Sequence, residues 1–279
     1  MTNNKTQDFA ICRIAGGVGN IVYNLERAAV ASSTYSFDSC FLCWRHGTPL
    51  VGEITLDELF DLKVIKCFKT KFISLNDIQE KQLLGRVGGR RVVPLLVKYL
   101  TIIRGDKTFR KTTNIETSTC DTELISQLWK EIRSSILVRK IADDFASANI
   151  TTKTIGVHVR RTDHRAANAV STNMFFLAID GLLDTNHDKI FLATDDAAEE
   201  KKFLSRYGKS VVFIDKSTQY RWDTPGRRRS LVTLDTYKEA FVDMLVLGHC
   251  GVILGSLGSS FSTGSVKLSS NKPELIIVG

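Results

Sequence analysis

The segment Ile155-Gly-Val-His-Val-Arg160 is a short apolar run that ends in a charged residue, and it decides the fold class of the C-terminal half. The same arrangement recurs in Lys189-Ile-Phe-Leu-Ala193, which leads into Asp195 and Asp196. Between the two runs, residues 172–183 carry apolar side chains at helical spacing. Short apolar strands that alternate with helices of about ten to fifteen residues are typical of a parallel sheet covered on both faces. We therefore predict a Rossmann-like α/β fold for this half.

The same alternation continues to the end of the chain. Helices are predicted over 197–207, with Asp195 or Asp196 as the N-cap, and over 234–248. Further strands are predicted over 210–214, 251–254 and 275–278.

The N-terminal half begins in a similar way, with a strand, a glycine turn and a helix. Its predicted elements are strands over 9–14 and 40–44 and helices over 21–31, 94–103 and 120–148, the last being one helix or two. A basic loop is expected after residue 103. Because 279 residues suit about two domains, we place a boundary near Asn149, which gives domains 1–148 and 149–279.

The composition is that of an ordinary globular protein, with 43% apolar and 24% charged residues, and it excludes a disordered or coiled-coil chain. Among six cysteines, Cys40-Phe-Leu-Cys43 is the one close pair, and a zinc site would need a second pair. We expect buried thiols in a reducing compartment. The N-terminus lacks an apolar signal segment, and the run 240–254 is too short and interrupted to span a membrane, so a cytoplasmic protein is expected.

The net charge is 38 − 30 = +8, which favours an anionic ligand such as a phosphorylated small molecule. Nucleic acid is not expected as a partner, because no aromatic interleaving or nucleic-acid motif accompanies the basic clusters.

The glycine turn Gly16-Gly-Val-Gly-Asn20 lies between a predicted strand and a predicted helix. Glycines at this place let a backbone approach a phosphate at the helix N-terminus. The dinucleotide fingerprint needs a third glycine, which is absent here, although Asp38 lies at the spacing of its acidic residue. Taken alone, the turn is equally well explained as a tight connection.

Two charged residues follow the strand over 155–160. His158 and Arg160 share one face of that strand, and Arg161 points to the other. Ligands of open α/β sheets bind at the carboxyl ends of the strands, where a guanidinium suits a diphosphate. The alternative is a structural pair between arginine and an aspartate.

Three further groups stand at comparable places. Asp195 and Asp196 end a strand and either contact a ligand or cap the next helix. Asp243 lies in an apolar helix and needs a donor, from the protein or from a ligand. The loop of 255–264 contains Ser259 and Ser260, and suits a phosphate or is simply flexible.

Together these motifs resemble the fucosyltransferase superfamily of the GT-B type, and most closely its α1,6 and nodulation branch. The matching segments are Gly16-Gly-Val-Gly-Asn20, His158-Val-Arg-Arg-Thr-Asp163, Ala193-Thr-Asp-Asp196, Asp243-Met-Leu-Val-Leu247 and Ser256-Leu-Gly-Ser-Ser-Phe261. The likeness covers 9–30 and about 150–270.

The resemblance implies two Rossmann-like domains facing across a cleft, with a nucleotide-sugar held mainly by the C-terminal one. It assigns the diphosphate to Arg160 and the base to His158 and Asp243. It assigns phosphate contacts to Gly17, Gly19, Ser259 and Ser260, with Gly16 and Asn20 in the same turn. It brings Asp195 and Asp196 to the nucleoside or the sugar.

The resemblance also implies an inverting glycosyltransferase that moves a sugar onto a glycan acceptor. GDP-fucose is the favoured donor, and UDP-xylose or another sugar nucleotide is the alternative. The α1,6 enzymes have Lys and Glu where this chain has His164 and Asn168, so acceptor chemistry is expected to differ. For the general base the candidates are Asp163, His164 and Asp38.

No metal and no further cofactor is expected, because the chain contains no Asp-x-Asp and Arg160 supplies positive charge in its place. The absence of an anchor favours a bacterial protein, or a virus-encoded one in a host cytosol. The other functions considered are a nucleotide-dependent oxidoreductase and a non-catalytic protein that binds glycan or nucleic acid.

Overall fold

The structure is a computed structural model of the whole chain, and the chain divides into two compact units, 1–137 and 138–279. The boundary expected from the sequence lies near Asn149, eleven residues later, so the helix before it falls in the second unit. The structure describes residues 9–14, 16–35, 39–44, 55–67, 71–75, 79, 82, 99–104, 107–112, 122–161, 170–216 and 233–279.

The first unit contains a mixed five-stranded sheet. Its strands are β1 (Phe9–Ile14), β2 (Ser39–Trp44), β3 (Lys71–Leu75), β4 (Tyr99–Arg104) and β5 (Lys107–Thr112), in the order β3-β2-β1-β4-β5. The first three strands are parallel to one another, and β4 runs antiparallel to both of its neighbours, β1 and β5. Helices α1 (Val18–Tyr35) and α2 (Thr122–Ser135) are joined by a hydrogen bond of 3.0 Å from the Trp129 indole to the buried Glu26 carboxylate.

Two predictions for the first unit are wrong. The helix expected over 94–103 is, from Tyr99 onward, strand β4, and the basic loop expected after it contains strand β5. The residues of β4 are mostly aromatic or β-branched, which are residue types that favour strands, and β4 pairs with β1 in antiparallel orientation. The charges of Lys107, Arg110 and Lys111 obscured a strand at the outer end of the described sheet.

The second unit contains an all-parallel sheet, as predicted. Its strands are β6 (Thr154–Val159), β7 (Lys189–Thr194), β8 (Val211–Val212), β9 (Val252–Ser256) and β10 (Glu274–Val278), in the order β10-β9-β6-β7-β8. Its helices are α3 (Arg139–Asn149), α4 (Thr172–Leu183), α5 (Ala197–Tyr207), α6 (Leu234–Leu247) and α7 (Ser260–Leu268). The strand expected over 210–214 is shortened to the two residues of β8.

Helices cover both faces of this sheet. Every residue of β6 is buried. On one face, Val157 and Val159 belong to a core with Phe175 of α4 and Phe203 of α5. On the other face, Gly156 lies against Leu247 of α6. Burial on both faces explains why the central strands are nearly continuous apolar runs.

The helices of the second unit begin at polar caps. The Asp196 side chain accepts a hydrogen bond from the Ala198 N–H at the start of α5. Thr233 and Thr236 form a reciprocal capping box at the start of α6, and Ser259 caps α7. These caps satisfy N–H groups that a helix leaves outside its own ladder. Among the described residues, no helix is long and apolar enough to cross a membrane.

Candidate functional site

The strand order of the second unit reverses direction next to β6. From β6 the chain proceeds to β7 and β8 on one side, and then returns to β9 and β10 on the other. The carboxyl ends of β6 and β9 therefore border the switch point, which is where open α/β sheets form a ligand crevice. His158 lies at the end of β6, and Arg160 follows it. Ser256 is the last residue of β9, and residues 257–260 come directly after it.

His158 is buried and lies against the first turn of α7. Its Nδ1 is 3.0 Å from Ser262 Oγ and 3.3 Å from Ser259 Oγ. Its ring stacks on Phe261 with ring centroids 4.3 Å apart and an interplanar angle of 15°. The close approach of β9 to α7 depends on Gly255, because a Cβ there would overlap the Ser262 side chain. The histidine thus fixes the helix N-terminus beside the end of β6.

Arg160 and Arg161 follow directly after β6, and the strand period predicts that their side chains lie on opposite faces of the sheet. Arg160 is partly exposed beyond the last residue of β6. The Arg161 guanidinium donates to Glu199 Oε1 at 3.2 Å, to the Val170 carbonyl at 2.7 Å and to Thr172 Oγ1 at 3.2 Å. Contacts within the protein therefore hold the Arg161 side chain on the side of α4 and α5.

Asp195 and Asp196, which follow β7, both accept hydrogen bonds from backbone N–H groups of the protein. Asp195 Oδ1 accepts a hydrogen bond of 2.8 Å from the Arg161 backbone N–H. Asp196 caps α5 through its bond of 2.8 Å from the Ala198 N–H. These contacts supply the cap that the sequence analysis left as an alternative for Asp196. Contacts of either residue with a nucleoside or sugar stay predictions.

Asp243 of α6 is buried and forms an ion pair with Lys216. The Lys216 Nζ lies 2.7 Å from Asp243 Oδ2 and donates to the Thr194 carbonyl at 2.6 Å. The protein donor left open by the sequence is thus Lys216. A second donor is still required, because Asp243 Oδ1 is buried and has no hydrogen-bond partner among the described residues.

Burial and pairing act against each other in this ion pair. Burial disfavours the Lys216 ammonium, but the charge and hydrogen bond of Asp243 outweigh burial and raise the pKa of Lys216. Burial also raises the pKa of the Asp243 carboxyl, against the opposing charge of Lys216. Asp195 and Glu239 add negative charge around Asp243. The edge near β7 and β8 is therefore acidic, with Lys216 as its buried cation.

Ser256 carries a second buried polar atom without a hydrogen-bond partner in the described part of the chain. Its hydroxyl ends β9, one strand away from His158 and Arg160. Buried polar atoms are nearly always paired in folded proteins, and exceptions mark sites that a ligand or water completes. Both exceptions, Asp243 Oδ1 and Ser256 Oγ, belong to the second unit.

The glycine turn lies in the first unit, between β1 and α1. Gly16 has a φ of +95°, a backbone conformation that favours glycine, and a Cβ there would displace the end of the Asn20 side chain. α1 begins at Val18, and Gly19 lies in its first turn. The Gly17 carbonyl accepts a hydrogen bond of 3.1 Å from the Ile21 N–H.

The three candidates for the general base, Asp38, Asp163 and His164, lie outside the described residues. Among the residues that are described, no group of three or more His, Cys, Asp or Glu side chains is arranged to hold a metal ion.

Solved structures of similar fold include fucosyltransferases. The fucosyltransferase NodZ from Bradyrhizobium matches with a TM-score of 0.60 and 15% identity, over 94% of this chain and 93% of that one. POFUT1 in complex with GDP matches with a TM-score of 0.55 and 12% identity, over 99% of each chain. The chain has the fold of these fucosyltransferases. The GT-B fold class implied by the sequence resemblance is thereby confirmed.

A third match is NodZ alpha-1,6-fucosyltransferase soaked with GDP-fucose, with a TM-score of 0.55, 15% identity, and coverage of 96% of this chain and 97% of that one. No protein-family model matches the sequence, and the comparison with curated proteins finds no match. The likeness to the fucosyltransferases is therefore one of fold, since identities this low carry no residue roles.

Three residues of the site were missed in the sequence. Lys216 follows β8, so its position after a strand was a usable signal, but the strand is short and the segment after it is polar. Glu199 and Thr172 lie in first turns of helices, where an acidic or hydroxyl side chain is ordinarily explained by helix capping. Their partner, Arg161, is distant in sequence from both.

Proposed function

We propose that the chain is an inverting glycosyltransferase that transfers a sugar from a nucleotide-sugar, with GDP-fucose as the favoured donor, onto a glycan acceptor. The observation that carries the proposal is the group formed by His158 and the Ser259-capped N-terminus of α7 at the switch point of the parallel sheet, where Arg160 is the next residue after β6. Positive charge and helix N–H groups at such an edge suit a diphosphate.

The donor diphosphate is proposed to lie between Arg160 and the first turn of α7, with Ser259 and Ser260 contributing hydroxyl groups. A guanidinium offers two parallel N–H donors to phosphate oxygens and stays charged at every physiological pH. The N-terminus of α7 adds backbone N–H groups and the positive end of the helix dipole.

Asp243 is proposed to contact the base, with His158 nearby. Its Oδ1 is a buried acceptor without a hydrogen-bond partner among the described residues, and a base N–H is a donor of the required kind. Guanine has two adjacent N–H donors on its pairing edge, whereas uracil has one. Lys216 already engages Asp243 Oδ2, so Oδ1 is the oxygen left for the base, and the single N–H of uracil could also satisfy it. A uridine nucleotide is therefore the second candidate, and experiments should include it.

The proposed chemistry is a single displacement at the anomeric carbon. The acceptor oxygen forms a bond to that carbon as the bond to the β-phosphate oxygen breaks, and the electron pair of the broken bond leaves with the nucleoside diphosphate. The hydroxyl proton passes to a general base, for which Asp163, His164 and Asp38 stay the candidates. Arg160 stabilises charge that grows on the leaving phosphate.

The proposed reaction does not need a divalent metal, because a permanent cation, Arg160, is assigned to the leaving group and the sequence has no Asp-x-Asp. Activity that is abolished by EDTA and restored by Mn²⁺ would contradict this assignment.

A thermal-shift panel of GDP, UDP, ADP and NAD tests the proposal, since a ligand stabilises the native state by RT ln(1 + [L]/Kd). The largest shift is expected with GDP. A larger shift with UDP assigns the alternative donor class, and a shift with NAD alone supports an oxidoreductase. Tight GDP binding without consumption of GDP-fucose, over a range of glycan acceptors, indicates a non-catalytic protein.

A further inference from the structure

Three elements converge on the Arg161 side chain. The guanidinium binds Glu199 of α5, Thr172 of α4 and the carbonyl of Val170 just before α4. The Arg161 side chain is 15% exposed and that of Glu199 is 3% exposed, so the pair is largely removed from water. We call Arg161, Thr172, Glu199 and Asp195 the Arg161 clamp.

Glu199 is the centre of the clamp. One oxygen accepts from Arg161 at 3.2 Å and from Lys202 at 2.8 Å, and the Thr172 hydroxyl lies 2.8 Å from the other oxygen. Burial alone would raise the pKa of Glu199, but the bonds from Lys202 and Thr172 and the charge of Arg161 outweigh burial and hold it below its ordinary value. The carboxylate is thus ionised and its contacts are fixed.

The clamp also fixes the backbone. The Arg161 N–H donates to Asp195 Oδ1 at 2.8 Å, so residue 161 is held at both its main chain and its side chain. Arg160 is joined to that N–H by one planar peptide unit. Arg160 is the residue between the end of β6 at Val159 and this fixed peptide unit, so the contacts at residue 161 restrain the backbone on its C-terminal side.

We propose that Glu199 is a positioning residue that, through Arg161, directs the Arg160 guanidinium toward the donor diphosphate. The inference rests on the proposed function, since it assumes that Arg160 binds the β-phosphate. Glu199 touches neither donor nor acceptor in this arrangement. It acts on the opposite face of the sheet from His158 and α7.

The test measures the contribution of the β-phosphate to binding. Calorimetry gives the Kd of GDP and of GMP for the wild type, for Glu199→Gln and for Lys202→Met. The Lys202→Met control removes the 54% exposed partner of the same carboxylate and leaves Arg161 in place. A charge-assisted contact to the β-phosphate is expected to make wild-type GDP binding roughly tenfold tighter than GMP binding.

We expect Glu199→Gln to lose most of this tenfold preference while the Kd of GMP stays within about a factor of two, and Lys202→Met to keep the preference. A purely structural role would weaken both nucleotides together and leave their ratio unchanged. A folded Glu199→Gln protein that retains the wild-type ratio overturns the positioning role. If Glu199→Gln does not fold, Thr172→Val removes one contact of the clamp, and the same loss of preference is expected.

The wild type separates this inference from the function on which it rests. If the wild type binds neither nucleotide, or binds GDP and GMP equally, Arg160 is not on a β-phosphate and both proposals fail. If the wild type prefers GDP and Glu199→Gln, or Thr172→Val where Glu199→Gln does not fold, keeps that preference, the nucleotide site stands and the positioning role alone is wrong.

Discussion

Arg160 and Arg161 are neighbours in the chain, but the two faces of the sheet give them different surroundings. On the face of α4 and α5, Arg161 is surrounded by acceptors from Glu199, Val170 and Thr172. On the face of α6 and α7, the chain assembles His158 with hydroxyl groups at a helix N-terminus. Of the two arginines that follow β6, Arg161 thus belongs to a structural cluster, and the proposed function assigns Arg160 to the donor diphosphate.

The difference lies in how completely the protein satisfies its own polar groups. In the Arg161 clamp, the buried Glu199 carboxylate accepts hydrogen bonds from Arg161 and Thr172 and a third from the neighbouring Lys202. The site around Asp243 leaves one carboxylate oxygen without a partner among the described residues. A saturated cluster stabilises the fold, whereas an incomplete one is suited to a ligand that supplies the missing donor. We expect variants of the Arg161 clamp to lower the unfolding free energy, and variants of Arg160 or Asp243 to act mainly on nucleotide binding or turnover.

The largest effect is expected for Arg161→Met. Removing the guanidinium takes one of two counter-charges from the buried Glu199, together with the hydrogen bonds to Val170 and Thr172, and breaking such a buried pair typically costs about 3–5 kcal/mol of unfolding free energy. Chemical denaturation followed by circular dichroism measures the change. A variant as stable as the wild type would contradict the structural role of Arg161.

Arg160→Ala is expected to fold normally and to lose about 10²–10³ in turnover of the nucleotide-sugar, the usual cost of removing one preorganised donor. Arg160→Lys should recover part of the activity, because an ammonium cannot make the bidentate contact. Steady-state release of GDP from GDP-fucose provides the measurement. Near-normal turnover in Arg160→Ala, with loss of turnover in a folded Arg161→Met, would mean that the two faces have been interchanged.

Asp243→Asn is expected to weaken GDP binding by roughly tenfold, since it replaces a charged acceptor by a neutral amide. Lys216 loses its counter-ion in this variant, so the unfolding free energy is measured beside the Kd. An unchanged Kd for GDP would return Asp243 to a purely structural role.

The smallest effect concerns pH. Because the pKa of Glu199 is held below its ordinary value in the folded state, its ion pair contributes stability above the ordinary glutamate pKa, and this contribution is lost as the pH falls through the folded value. Glu199→Gln should therefore be less stable than the wild type at pH 7, with a difference that narrows in acid. Unfolding free energies at pH 7 and below pH 4.5 provide the comparison. A difference that widens in acid would contradict the assigned ionisation.

The fold of the second unit follows from the sequence because burial on both faces leaves a direct pattern. The predicted helix over 172–183 agrees in its limits with α4, and the helix 197–207 agrees with α5. The antiparallel pair β4 and β5 did not follow, because pairing with β1 is a tertiary interaction and charged residues hide the strand pattern.

Residues of the candidate site could be predicted from the sequence where a polar or charged residue lies at the end of a predicted strand. The two-residue period of β6 predicts opposite faces for Arg160 and Arg161, and the contacts of Arg161 with α4 and α5 agree with its predicted face. The partners of Arg161 and Asp243 did not follow, because Glu199 and Lys216 are brought there from other elements by packing. That Asp243 Oδ1 is buried without a partner in the described part of the chain is a property of the folded site that no local sequence pattern records.

A crystal structure of the protein with GDP tests the central claim most directly. The account predicts the diphosphate within hydrogen-bond distance of Arg160 and the first turn of α7, and a base N–H against Asp243 Oδ1. Density for GDP that lies away from the carboxyl ends of β6 and β9, with Arg160 making no phosphate contact, would contradict it.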